Sequence, residues 1–437
     1  YSKRKTVLIL LYLTEGDLQT MNYKKEILNA LIQSYENSKW FRDGTITRRI
    51  LIPKSKKNII EASISDYEHK QEYLHVLFSL KEQGIIDFSW IRYEEGNLID
   101  AIWLQQDKNA VLHAYKLLHR KHKRTILFDF TYQIKEALDQ IDRQSDIGKY
   151  LCYLENEMNK KLKILAPFSS DENLNKNLMK CLIFLSNNQK EVLTRMMSQE
   201  LFCDSKYFEY ELRSKVLSIL RKVKKMDHDE FQYSDKELLQ QYGISDYPEI
   251  IEFTGNLRIQ LDDGNVIDYS KERFGTYINS ETIQHITEIT LHEVQRVLFI
   301  ENKTNYVMQV KKNDPSALII FHGGCYSPIK GMFFQKIYDS ISDKSLISWE
   351  HWSDIDVGGF RIFIRLKENI IPTLIPYQMD VTTLEQYQQH AMKIENSKYL
   401  QTLQDMYIDE RYEIFHSVIN KMLDKKIRLE QEMECFE

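Results

Sequence analysis

Apolar residues recur at helical spacing in two stretches of the first hundred positions. Ile27, Leu28, Leu31 and Ile32 share one face of Asn22–Glu36, and Tyr73, Leu74, Leu77 and Leu80 share one face of Tyr67–Gln83. Gly84 follows the second stretch, where a left-handed residue would close the helix. The period then becomes that of strands over Ile86–Tyr93 and Leu98–Trp103, joined by Glu94-Glu95-Gly96-Asn97 as a hairpin turn. A helix followed by a β-hairpin is the pattern of a winged helix, suited either to duplex contact or to a structural or dimerising role.

Long periodic stretches at Ser145–Leu162 and Asn173–Ser186 predict helices, and Glu209–Lys224 is less regular, with Leu212, Val216, Leu217, Ile219 and Leu220 on its apolar side. From Ile250 short strands are expected at Ile250–Phe253, Leu257–Leu261 and Val266–Tyr269, with Asp262-Asp263-Gly264-Asn265 as a turn. Asn279–Glu293 then predicts a helix, with Ser280 as its N-cap and Ile283, Ile286 and Ile289 as its stripe. A final helix is expected over Tyr412–Met433. No internal repeat or Gly/Ser linker interrupts the chain.

The most informative pattern begins with the continuous apolar run Val297-Leu298-Phe299-Ile300, which suits a parallel strand covered on both faces and ends in Glu301-Asn302. Ala317–Phe321 ends in His322-Gly323-Gly324, and Leu346–Trp352 ends in Ser353-Asp354-Ile355-Asp356 followed by Val357-Gly358-Gly359. Ile371–Ile375 is a fourth strand candidate, closing near Asp380, and helices are expected at Pro328–Ile341 and Gly359–Glu368. Alternating strands and helices predict a parallel α/β sheet, whose ligands collect beyond the carboxyl ends of the strands. Asp354 and Asp356, two apart, can face one site, with Glu301 arriving from a neighbouring strand. Three clustered carboxylates repel unless a cation lies between them, and hard oxygen ligands suit Mg²⁺ or Mn²⁺. Such an ion can polarise a phosphate and activate water. Gly323, Gly324, Gly358 and Gly359 would let backbone approach phosphate closely, and His322 could donate to a phosphate or move a proton. The bland alternative is an α/β domain with exposed acidic loop ends.

The expected organisation is thus an α+β multidomain chain. Residues 1–125 form a winged-helix-like DNA- or partner-binding domain, 126–248 a mostly helical middle, and 249–437 an α/β domain preceded by a small β segment. At 437 residues and 43% hydrophobic content it has material for two or three cores. Only 14 glycines argue against a linker-rich or collagen-like chain. The net charge of −5 excludes a uniformly basic DNA coat. Basic clusters nonetheless occur at Lys3-Arg4-Lys5, at Arg48-Arg49 through Lys54-Lys56-Lys57, at Arg120-Lys121-Lys123-Arg124, and at Arg221-Lys222-Lys224-Lys225. They read as a phosphate-facing surface or as solvated helix faces, and His119 and His122 as solvated or phosphate-facing. The five scattered cysteines, without a CxxC pair, disfavour zinc and suit a reducing cytoplasm. Val7–Leu13 is too short to span a bilayer and lacks a cleavage site, so neither membrane insertion nor a signal peptide is expected. The chain opens on Tyr1 and not Met, so a few native residues are expected before it.

Several motifs in order resemble the JetD family, the nuclease subunits of Wadjet systems. They are Ile300-Glu301-Asn302 with Asn305-Tyr306, Phe321-His322-Gly323-Gly324 with Tyr326, and Trp352-Ser353-Asp354-Ile355-Asp356 with Gly359-Phe360-Arg361. Gln378-Met379-Asp380 and Leu429-Glu430-Gln431-Glu432 extend the resemblance, which is clearest over 290–437. It implies a Toprim domain like that of type IIB topoisomerase A subunits, with Glu301, Asp354 and Asp356 as metal ligands. It also implies work beside an SMC-type motor complex that restricts plasmid DNA. Family members typically carry a third glycine where this chain has Cys325, and Thr-His or similar where it has Val357-Gly358. The leading expectation is a metal-dependent endonuclease on double-stranded DNA, acting as a homodimer with two sites across the duplex. A strand-passing topoisomerase-like subunit and a non-catalytic DNA-binding adaptor are the alternatives.

Overall fold

The computed structural model describes residues 15–61, 67–226 and 233–431, with side chains from residue 22 onward. Lys3-Arg4-Lys5, Val7–Leu13 and Glu432 lie outside them. The chain divides into two compact units, Tyr1–Glu136 with Tyr153–Glu172, and Ala137–Cys152 with Asn173–Glu437.

In the first unit the helices Glu15–Glu36 and Tyr67–Glu82 bury the stripes expected of them, with Ile27, Leu28, Leu31, Ile32, Tyr73 and Leu77 all fully buried in one core. Gly84 is left-handed (φ +68°) and its N–H reaches Lys81 O while Ile85 N–H reaches Leu80 O, so the last carbonyls are satisfied as the chain reverses. The hairpin strands are Ile86–Trp90 and Ile99–Leu104. A short strand, Ile50–Leu51, pairs antiparallel with Ile99–Leu104 on its other side. This strand lies inside a segment that its lysines and arginines had marked only as a basic cluster.

Two basic clusters prove to be largely engaged with neighbouring groups. Lys121 pairs with Glu172 at 3.0 Å, Arg120 and Lys123 approach Glu36, and Arg124 donates to the carbonyls of Phe41 and Arg42. Arg221 pairs with Asp235, and Lys224 lies 3.5 Å from Asp146. His122 is partly buried and packs against the rings of Tyr115, Phe41 and Tyr35. The cationic groups here stabilise chain contacts that periodicity alone does not show.

The second unit begins in helices, including Glu172–Asn187, Thr194–Phe202 and Arg213–Met226. The irregular period over 209–224 has a cause: Phe208–Leu212 is a π turn, and its wider winding shifts the apolar face before the α-helix resumes. Beyond it lies a six-stranded sheet, in the order Ile375–Pro376, Ser348–Trp352, Arg296–Ile300, Ala317–Phe321, Ile250–Thr254, Thr276–Asn279. The first four strands are parallel and the last two antiparallel. In the central strand Val297, Leu298, Phe299 and Ile300 are all 0% exposed. Val297 and Phe299 face the larger core, with Phe333, Phe360 and Phe363, while Leu298 and Ile300 face a smaller one with Tyr306 and Trp352. Both faces are covered, as the unbroken apolar run requires.

Two expected helices are corrected. Asn279–Glu293 is helical only over Ser280–His285 and then becomes the strand Ile286–Leu291, pairing with Leu257–Leu261. Ile286, Thr287, Ile289 and Thr290 are β-branched and favour a pleated surface. Asn279, not Ser280, is the cap, accepting from Thr282 N–H at 2.8 Å. The final segment is a 3₁₀ turn Glu410–Phe415, a helix His416–Lys425 and a strand Ile427–Arg428. Among the described residues no helix is long and apolar enough to cross a membrane.

Leu298→Ala should cost about 2–5 kcal/mol, because both sheet faces are filled and the cavity cannot collapse. Leu346→Ala, at a position 70% exposed, should stay within ~0.5 kcal/mol. Urea midpoints of the two variants check the contrast.

Candidate active site

The sheet register brings three chain exits level. Ile300 is paired with Phe321 on one side and Trp352 on the other, so residues 301, 322 and 353 leave the sheet at one edge. Glu301 is anchored there by its N–H, which donates to Trp352 O at 3.0 Å. The backbone N–H of Asp354 donates in turn to the Glu301 carboxylate. Asp356 caps the helix Val357–Asn369, its Oδ1 accepting from Gly359 N–H at 2.8 Å.

These carboxylates feel one another. Burial, then the charges of Asp354 and Asp356, push the Glu301 carboxyl up to about 8, and Glu237 adds to the effect. Glu301 Oε2 is buried without a hydrogen-bond partner. A buried anion beside like charges is poorly compensated by protein groups alone. The donor chemistry therefore fits a hard divalent cation. Convergence is incomplete: among the described residues no three His, Cys, Asp or Glu side chains are gathered into a metal-holding cluster. Asp354 Oδ1 accepts from Gln431 N–H at 2.7 Å, and Asp356 Oδ2 lies 3.5 Å from Arg428 Nη1. An ion at this edge would require these side chains to draw closer to Glu301.

The braces come from a segment far along the chain. Ile355 pairs with Leu429 in an isolated antiparallel bridge. Gln431, 3% exposed, accepts Asn302 N–H on Oε1 at 3.1 Å and donates from Nε2 to Trp352 O at 3.3 Å. Asn305 donates to Gln431 O at 2.9 Å. Thus Gln431 ties the Glu301 loop to the Asp354 loop. Arg428 supplies positive charge beside Asp356. Periodicity gave no signal for either role; Gln431 carried only its place in the Leu429–Glu432 motif.

The glycines serve tight local geometry. A Cβ on Gly359 would drive into Asp354 O and Ser353 Oγ, so the helix can begin against the aspartate loop only with glycine there. Gly358 has more room, its Cβ position lying 3.2 Å from Asp356 Oδ1. Gly323 and Gly324 are both left-handed, and the Cys325 N–H that follows donates to Glu237 Oε1 at 3.3 Å. His322 departs from the expected role. It is 1% exposed, shares a hydrogen bond with Gly324 O at 3.0 Å, and stacks on His351 at 5.1 Å within the sheet–helix layer. Burial holds it neutral, down to about 3, so it is neither offered to an approaching phosphate nor set to exchange protons near neutral pH.

The class these features define is an α/β protein with an acidic site at the carboxyl edge of a parallel sheet. Residues 256–435 match the family described as Wadjet protein JetD, C-terminal. Over 418 residues the chain is 27% identical to the Wadjet protein JetD of Bacillus cereus (strain Q1), covering 94% of this chain and 98% of that protein. Over most of its length the chain is thus similar to a JetD protein, and its C-terminal part matches the JetD C-terminal family.

Two opposite pH effects follow. The raised Glu301 pKa means that the fold retains a proton which the unfolded chain releases above its ordinary value of 4.5. Its contribution to stability is therefore lost as pH rises through about 8. Glu301→Gln should remove that loss and stabilise the metal-free protein by roughly 1–3 kcal/mol at neutral pH, read as a higher Tm in chelator. For His322 the folded value lies below the ordinary 6.5, so its contribution is full above 6.5 and is lost as pH falls towards about 3. Urea midpoints at pH 7.5 and 5 should show the fall, and His322→Gln should flatten it.

Proposed function

We propose that this protein is a metal-dependent DNA endonuclease subunit of a Wadjet-type defence complex, cutting circular plasmid DNA. One observation carries the reading: Glu301, with its Oε2 enclosed and unpartnered, feels the like charges of Asp354 and Asp356 at the carboxyl edge of a parallel sheet. The parallel strands with acids at their carboxyl edge support the Toprim reading, and the likeness to a Wadjet JetD protein supplies the setting.

Glu301, Asp354 and Asp356 would hold Mg²⁺ or Mn²⁺. The ion, when bound, would polarise the scissile phosphodiester and make water a better nucleophile. The chain's own groups supply position. Gln431 fixes the two acidic loops to each other, and Gly359 lets the Asp356-capped helix start close behind them. Arg428 balances Asp356 and lies beside the carboxylates, where a phosphate would gain from a cation. In the first unit, the sheet order Ile50–Leu51, Ile99–Leu104, Ile86–Trp90 beside two helices supports a winged helix. Duplex contact would fall to the segment around Arg48, Arg49 and Lys54, distinct from the paired cluster at 120–124. Action as a homodimer beside an SMC-type motor completes the proposal.

Purified protein should linearise circular plasmid with Mg²⁺ or Mn²⁺ and not with chelator. Asp354→Ala should lower the rate by more than the ~10–100-fold that losing an outer-shell partner costs, with circular dichroism unchanged. Undiminished cutting by that variant would overturn the reading. A tyrosyl–DNA adduct trapped by denaturant would point to a topoisomerase-like reaction. Plasmid exclusion that survives loss of all three acids would point to an adaptor.

A further inference from the structure

The loop after Ala317–Phe321 holds an acidic side chain that the chemistry above leaves unused. Glu237 belongs to the short helix Asp235–Gln240, where it closes a capping box. Its Oε2 accepts from Ser234 N–H at 2.9 Å and from the Ser234 hydroxyl at 2.7 Å. Its Oε1 leaves that helix and accepts from Cys325 N–H at 3.3 Å. A Cβ on Gly324 would sit 2.7 Å from this oxygen, so a larger residue there would push the carboxylate aside. Lys330 stands close by, donating to His322 O at 2.8 Å and sensing the charge of Glu237.

A carboxylate on a glycine-loop N–H occupies the kind of position in which such loops hold phosphate oxygens. The charge of Glu237 also reaches Glu301, so loop and acidic edge share one electrostatic neighbourhood. Family-level matching covers 256–435 and leaves Glu237 outside it. Resting on the nuclease reading, we infer that Glu237 stands in for a DNA phosphate on the Cys325 N–H and that substrate binds there by displacing it. The carboxylate is then an internal competitor that weakens DNA binding until it swings away. It acts on affinity and not on the reacting bond.

Binding in chelator, read by fluorescence anisotropy of a labelled duplex, separates affinity from cleavage. Glu237→Gln keeps the capping box, since glutamine serves equally at that position, and removes the competing charge. It should tighten Kd by about three- to tenfold. Glu237→Asp keeps the charge but falls a methylene short of Cys325, and should show part of the tightening. Unchanged or weaker binding in both variants overturns the inference. If the full-length wild type then still binds duplex and cuts plasmid with Mg²⁺, the nuclease reading stands; if it does neither, both fail.

Discussion

The register of three parallel strands is the constraint on which the acidic site depends. Side chains alternate faces along a strand, so a slip of one residue would send Glu301 to the opposite side from its partners. Val297, Leu298, Phe299 and Ile300 fix the register because each is fully buried and both faces are packed. The hydrophobic layers therefore decide where the charges stand. Glu301 and the Asp354 loop are held level by backbone pairing, and the electrostatic cost of their closeness is borne by the packed sheet beneath them.

That cost is distributed. Gln431 and Gly359 supply N–H donors to the aspartates, and Arg428 supplies a cation, whereas Glu301 Oε2 is left without a partner. The two left-handed glycines after His322 complete the edge with a loop whose N–H already meets a carboxylate. Acidic groups thus approach the edge from both sides, and its affinity for anything negative depends on how they are offset.

The sheet and the three acids were legible in the sequence because continuous apolar runs ending abruptly in Glu301, His322 and Ser353 leave few arrangements open. The hairpin of the first unit was legible for a similar reason, its period changing at Gly84. The Ile50–Leu51 strand was hidden by surrounding lysines and arginines, and the π turn at Phe208–Leu212 disguised the face of its helix. Ile286–Leu291 shows isoleucine spacing that satisfies a helical stripe, although pairing with Leu257–Leu261 decides it as a strand. His322 was misread because a residue beyond a strand end looks exposed until the layer above it is known. Gln431 and Glu237 act through contacts made across long sequence separations, which no local pattern records.

The bridge between Ile355 and Leu429, with Gln431 beside it, has a consequence for biosynthesis. Asn302 and Gln431 are 129 positions apart, yet the second clasps the loop of the first. During translation the central strands can pair well before residues 427–431 emerge from the ribosome. Until then the acidic loops lack their clasp, and the polypeptide under synthesis cannot present the finished arrangement. Completion of the site is thereby coupled to the synthesis of residues 427–431.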